Sequence, residues 1–208
     1  MRIKVSATYK DFGIVLKRLR KIDSENQANF ASGRIRKHQY YLQTEAVFFT
    51  AYRDYENFIR DVFLLYTQGK KTLSGTRVNS YLNPRSFDHA EAMIKSSMPF
   101  LDWNSPGTVI GRAELYLKDG FPIKLPYTTE ITKLVQFRKI RNHIAHNSEE
   151  SLKGYKQVLL SHFGVVPLRI PSVGEYLQLT SRTDATKYNL LVFFDTVDEL
   201  STSLTRPL

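Results

Sequence analysis

The strongest constraint on what this chain can fold into is the stretch from about Lys37 to Gln68, which holds neither proline nor glycine. Val47, Phe48, Ala51, Tyr52, Tyr55, Ile59, Val62, Phe63 and Tyr66 trace a wide apolar stripe through it. That spacing lines one face of an α-helix and cannot be mistaken for the two-residue alternation of a strand. One long helix is expected, closed by Gly69, and it sets the expectation for the whole chain as mainly α.

Shorter signals surround it. Phe12, Val15, Leu16, Leu19 and Ile22 stand at helical spacing, with Lys17, Arg18, Arg20 and Lys21 between them, so an amphipathic, basic helix is expected from Tyr9 to Ile22. Asn26 to Arg36, with Gly33, reads as a connection. Lys70 to Arg85 is basic and turn-rich, ahead of a short helix over Ser86 to Ser97. Met98 to Pro126 carries Pro99, Pro106, Pro122 and Pro126 with Gly107, Gly111 and Gly120. It cannot be one continuous helix, and it is expected to be mostly irregular around a short turn at Arg112 to Leu117.

Thr128 or Thr129 is then expected to cap a helix running to about His146, with Glu130 in its first turn. Another helix is expected from Glu149 to His162, ended by Gly164. A last one should run from Lys187 to about Leu204, with Leu190, Leu191, Phe194, Val197 and Leu200 facing inward. Val165 to Thr180 alternates between Pro167, Pro171 and Gly174 in a way compatible with a small β-hairpin or an extended strap. No internal repeat is present. The whole reads as a single domain, 1–208, with 98–126 as an insertion.

Thirty Lys and Arg against twenty Asp and Glu give a formal charge of +10, which favours a polyanionic partner, nucleic acid foremost, over a merely basic surface. The absence of Cys excludes disulfides, thiolate metal sites and a cysteine nucleophile. Met1 to Ser6 lacks the apolar core of a signal peptide, and no apolar run approaches the roughly 18 residues that cross a bilayer. A soluble, cytoplasmic protein without a membrane partner is expected. There is no Gly-rich phosphate loop, no Ser-His-Asp signature and no acidic cluster for two-metal chemistry. No cofactor is expected, and no metal either, because His143 and His146 lack an evident third ligand.

The chemistry-bearing stretch is Arg141-Asn142-His143-Ile144-Ala145-His146. On a helix advancing roughly 100° per residue, Leu134, Phe137, Ile140 and Ile144 form the apolar face, and Arg141 falls on it between Leu134 and Phe137. Arg138, Lys139 and His143 point elsewhere. An arginine set among apolar positions is either half of a partly buried ion pair or a phosphate clamp on the wall of a cleft. Glu56, on the stripe of the long helix, is the candidate partner for either. His146 can take and return a proton near neutral pH. It lies four residues after Asn142, which on a helix makes the amide a neighbour able to orient the ring.

This hexapeptide resembles the arginine-to-histidine motif of the HEPN superfamily of helical RNA-cleaving and nucleotide-associated domains, in the variant with a polar residue after the arginine. Ala51-Tyr52-Arg53-Asp54-Tyr55-Glu56-Asn57-Phe58 is similar to the aromatic long helix that precedes the motif helix in such domains. Among subgroups the motif looks most like the RiboL-PSP type, associated with microbial defence and toxin systems. The resemblance implies a HEPN-like helical bundle of four or five elements, from which the Pro-rich 98–126 segment departs. It also implies a homodimer in which two motif helices line one cleft.

The activity so implied is metal-independent endoribonuclease chemistry, acting as a toxin or antiviral-defence effector. Arg141 and His146 would be catalytic, Asn142, Glu56 and His143 supporting, and Arg138 and Lys139 substrate-binding, with RNA as substrate and an antitoxin or defence protein as a further partner. The alternative is a catalytically silent HEPN module that binds RNA, nucleotide or a partner protein, and a third reading is a structural helical adaptor. The basic runs Lys17 to Lys21 and Lys70 to Arg85 read, each on its own, as solvated faces.

Overall fold

In a computed structural model that describes residues 4–95 and 102–207, the chain is mainly helical. Among the described residues there are nine α-helices and no β-strand. The ends of two expectations, residues 96–97 of the short helix and 98–101 of the insertion with Pro99, lie outside the described residues.

Helix α1 spans Val5–Ala31 and α2 spans Lys37–Thr67. The expected connection from Asn26 is therefore too long by several residues. Asn26 to Ala31 contains no glycine or proline, the helical cost of its asparagines is small, and Phe30 gains a stacked contact with Tyr40 at 4.6 Å. The chain turns only afterwards, at Gly33 (φ 73°). Every apolar residue named for the stripe of α2 is buried. Gly69 (φ 68°) ends that element in the left-handed conformation that glycine adopts without penalty.

After α3 (Phe87–Lys95), the segment expected to be irregular is mostly helical. It forms α4 (Pro106–Tyr116), a 3₁₀ turn (Lys118–Gly120) and α5 (Lys124–Thr129). Pro106 opens α4 and Pro126 is the third residue of α5. Both occupy a first helical turn, where a missing N–H forfeits no bond. Gly107 and Gly111 sit inside α4. The prolines punctuate helices here and do not abolish them.

Helix α6 spans Ile131–His146. Neither Thr128 nor Thr129 caps it: both belong to α5, and their hydroxyls donate to Lys124 O and Leu125 O one turn back. Glu130 sits at the break between the two helices and pairs with Lys133 at 2.9 Å. Helix α7 (Glu149–Phe163) begins at a capping box built from Ser148 and Ser151 and stops at Gly164 (φ 78°). Over 165–180, where a hairpin or strap was expected, residues 165–172 are irregular and the chain then makes α8 (Val173–Leu177), capped by Ser172. An isolated bridge joins Thr180 to Tyr188 nearby. Helix α9 spans Asn189–Thr205. Its inward residues include Leu190, Phe194, Val197 and Leu200 as expected, and Phe193 in addition, while Leu191 is half-buried.

The chain divides into two compact units, and α1, α2, α6 and α9 each contribute a segment to both. The first gathers the described residues of Met1–Ile14, Asp54–Leu134 and Val197–Leu208. Phe12 stacks on Phe58 at 4.7 Å there, the buried Tyr55 hydroxyl donates to that of Tyr127 at 2.7 Å, and Tyr66 donates to Leu204 O.

The second unit comprises Val15–Arg53 and Val135–Thr196. Its core centres on Phe193, which meets Phe48 at 4.6 Å and Phe137 edge-on at 5.0 Å. In the same unit Asp23, only 1% exposed, accepts hydrogen bonds from Tyr188, Gln27 and Gln178. Burial nevertheless raises the pKa of this carboxyl, against the opposing pull of those three donors.

Candidate functional site

The motif residues occupy the last turns of α6, and the way that helix ends decides how each is presented. Its apolar face is anchored by the buried Leu134, Phe137 and Ile140, with Ile144 half-buried. After His146, Asn147 takes a left-handed conformation (φ 43°) and donates its N–H to His143 O. Asparagine is the residue that most often takes this stop when glycine does not. Ser148 then caps α7, so the two helices meet at a two-residue elbow.

Arg141 is half-buried, as its place on the apolar face requires. Its guanidinium carbon stands 5.8 Å from the centre of the Phe49 ring on α2, a cation-over-ring arrangement. Its Nη1 donates to Asn142 Oδ1 at 3.3 Å. Asn142 thus turns its amide oxygen toward the arginine, and among the described residues no hydrogen bond joins it to His146. His146 is exposed at the helix end.

His143 is the histidine that the fold holds. Its ring stacks on Tyr155 of α7 at 5.0 Å, and its Nδ1 lies 3.2 Å from Ser151 Oγ. That oxygen already accepts from Ser148 N at 2.9 Å and donates its proton to Ser148 O at 2.8 Å. Only a lone pair remains for the imidazole, so Nδ1 carries the ring proton and Nε2 is the basic nitrogen. Burial lowers the pKa of the ring, which keeps His143 neutral at neutral pH.

Lys139 is tied to α7 through a 2.7 Å hydrogen bond to Gln157 Oε1, and Arg138 is half-buried. Both lie with Arg141, Asn142, His143 and His146 in the second unit, whereas Glu56, half-buried on α2, belongs to the first. Glu149 and Glu150 follow the motif in the first turn of α7, where carboxylates suit the positive end of the helix dipole.

The sequence reading did not single out Ser148, Ser151 or Tyr155. The first two carried a signal, a serine pair three residues apart around two glutamates at a helix start. Tyr155 carried none, because only the packing of α7 on α6 brings it to His143. Among the described residues no helix is long and apolar enough to cross a membrane, and no three His, Asp or Glu side chains are grouped so as to hold a metal ion. Comparison of the chain with protein families, with curated proteins and with solved structures returns no match.

The arrangement can do two things chemically. It offers an anion a guanidinium whose side chain is already ordered by Phe49 and Asn142, so little further entropy is lost on binding. It also places an exposed imidazole five residues further along, at the end of the same helix.

Proposed function

We propose that the protein is an endoribonuclease of the HEPN type, working without a divalent metal as a toxin or defence effector. The observation that carries this reading is the pairing on α6 of an ordered, half-buried Arg141 with an exposed His146 at the helix terminus. Both are residue types suited to phosphodiester chemistry on RNA: a fixed cation for the nonbridging oxygens and a group that moves a proton near neutrality.

Helix geometry supports the composite site that the HEPN resemblance implies. Five residues along an α-helix correspond to roughly 7.5 Å of rise and about 140° of rotation, so one chain presents the clamp and the proton carrier on different faces. A second copy brings its own pair to the same cleft. His146 takes the proton of the ribose 2′-hydroxyl, whose oxygen attacks the adjacent phosphorus. The bond from phosphorus to the 5′-oxygen breaks, and that oxygen receives a proton from His146 of the partner subunit. The products are a 2′,3′-cyclic phosphate and a 5′-hydroxyl, and Arg141 balances charge on the phosphorane. His143, held through Nδ1, supports the elbow on which His146 stands, while Arg138 and Lys139 add positive potential along the helix.

A second reading, a catalytically silent module that binds RNA, nucleotide or a partner protein, is favoured by one observation: Arg141 is already engaged by Asn142 and Phe49. The two separate in one experiment. Purified protein is incubated with single-stranded and transfer RNA in chelator, beside Arg141→Ala and His146→Ala variants. Cleavage leaving a 2′,3′-cyclic end, lost in both variants and on 2′-deoxy substrate, is expected. Cleavage that needs metal, or that survives both substitutions undiminished, rules out the mechanism. Retention of RNA without cleavage establishes the binding module.

A further inference from the structure

A polar hollow of about 360 Å³ lies at the C-terminal end of α2. Gln68, Gly69, Arg77, Asn79, Tyr81 and Asn83 are among the residues that line it. Its volume is at the lower end of the ~300–1,000 Å³ typical of small-ligand sites, a size suited to one nucleotide.

Arg77 is the one charged residue that lines it, and the segment it belongs to carries charge of one sign. From Gln68 to Ser86 the sequence holds Lys70, Lys71, Arg77 and Arg85 and no carboxylate. Asp119, two residues past the Leu117 that bridges to Ser80, does not line the hollow. A helix C-terminus would ordinarily repel an anion, but three of the last four carbonyls of α2 accept hydrogen bonds here. Leu64 O accepts from Thr67 Oγ1 and Gln68 Nε2, Leu65 O from Gln68 N and Lys70 N, and Tyr66 O from Gly69 N.

The guanidinium of Arg77 is laid over Gly69, with Nη2 and Nε 3.6 and 3.7 Å from where a side chain at that position would begin. Among the described residues it has no hydrogen bond or ion pair. The Asn79 and Asn83 amides likewise have no described side-chain bond. Tyr81, anchored by its backbone N–H to Tyr116 O, leaves its ring 67% exposed at the rim. A cation for a phosphate, two amides for the edge of a base and an aromatic face for stacking are thus gathered in one place.

We propose that this hollow binds a nucleotide phosphate, with the phosphate on Arg77 and the base against the Tyr81 ring. In taking RNA as the strand that carries the nucleotide, the proposal rests on the preceding reading, but it needs no cleavage.

The test uses the full chain and a fluorescently labelled, 2′-O-methylated single-stranded RNA, which cannot undergo 2′-hydroxyl attack. Binding is followed by anisotropy over a range of KCl for wild type, Arg77→Gln, Tyr81→Ala and the charge control Lys153→Gln, each checked for an unchanged thermal melt. Tyr81→Ala should weaken binding about 5-fold or more, the low end of a lost base stack. Arg77→Gln should weaken it about 10-fold and flatten the salt dependence by about one ion, while Lys153→Gln stays near wild type. If Arg77→Gln and Tyr81→Ala both remain within about twofold of Lys153→Gln, the site does not exist. Competition with adenosine monophosphate identifies the source: displacement of the wild-type complex marks a free nucleotide, and resistance marks the strand. Parallel cleavage of unmodified RNA keeps the two proposals apart. Loss of cleavage by wild type with a binding defect in Arg77→Gln removes only the ribonuclease, and intact cleavage with unaltered binding removes only this site.

Discussion

His143 and Ser151 show how a single side chain can serve two structures. Ser151 Oγ closes the capping box that starts α7 and accepts the Nδ1 proton that fixes the His143 ring. Ser151→Ala leaves the Ser148 cap but removes the reciprocal bond from Ser148 N and the anchor of His143, and is expected to cost about 0.5–1.5 kcal/mol per hydrogen bond lost, measurable by chemical denaturation. A pH dependence follows from the same ring. Burial holds the folded pKa of His143 below its ordinary 6.5, and His162 is lowered for the same first reason with Arg182 adding to it. The folded state thus binds fewer protons than the unfolded chain in that interval, and stability rises with pH there. The contribution is fully present above pH 6.5 and is lost as pH falls through the depressed folded values. The melting temperature should fall between pH 7.5 and 5, and less steeply in His143→Asn; an identical fall in the variant would refute the assignment. The place of Arg141 on the apolar face was legible from its distance to Leu134 and Phe137. That Phe49 would lie under its guanidinium was not, since helical periodicity gives the face of one helix and not the register of the next.

At the scale of elements, legibility followed the length of the signal. The stripe of α2 runs through many turns, and each residue named from it is buried. Helix α8 has five residues, too few for a helical period to outweigh the short alternation between prolines, and its start depends on the Ser172 side chain accepting from Glu175 N. The Pro-rich segment misled for a different reason. A proline count takes no account of position, and the described Pro106 and Pro126 both fall in first turns. The placement of α8 gives a sharp prediction. A Cβ at Gly174 would stand 2.1 Å from Tyr41 O, a backbone atom that cannot swing aside, and Gly174 N donates to Glu45 Oε1 at 2.8 Å. Gly174→Ala should destabilise by about 1–3 kcal/mol or more through overpacking, with loss of protection at the Gly174 amide in hydrogen exchange. Phe193, the hub of the aromatic cluster on α9, should cost about 3–5 kcal/mol as Phe193→Ala by the same denaturation measurement.

At the scale of the whole molecule, the excess of ten positive charges and the ends of α6 make linked predictions about assembly and RNA. A polyanion that neutralises several of those charges releases counterions, so binding should weaken linearly in log–log coordinates as salt rises. For about 6–10 phosphate contacts the loss is roughly 10³–10⁵-fold between 50 and 200 mM salt. Cleavage has a stricter requirement than binding if Arg141 and His146 face different ways on one helix. On the proposed reading, a single chain would then hold RNA electrostatically but would not surround a phosphodiester with a clamp, a base and an acid. Cleavage activity should therefore rise with the square of protein concentration below the dimerisation constant and linearly above it, while RNA binding shows no such break. Light scattering across the same range should detect the doubling in mass where the order changes. A chain that remains strictly monomeric while cleaving at a rate linear in its concentration would show that one α6 is enough, and that Arg141 and His146 reach the same phosphate by side-chain length alone.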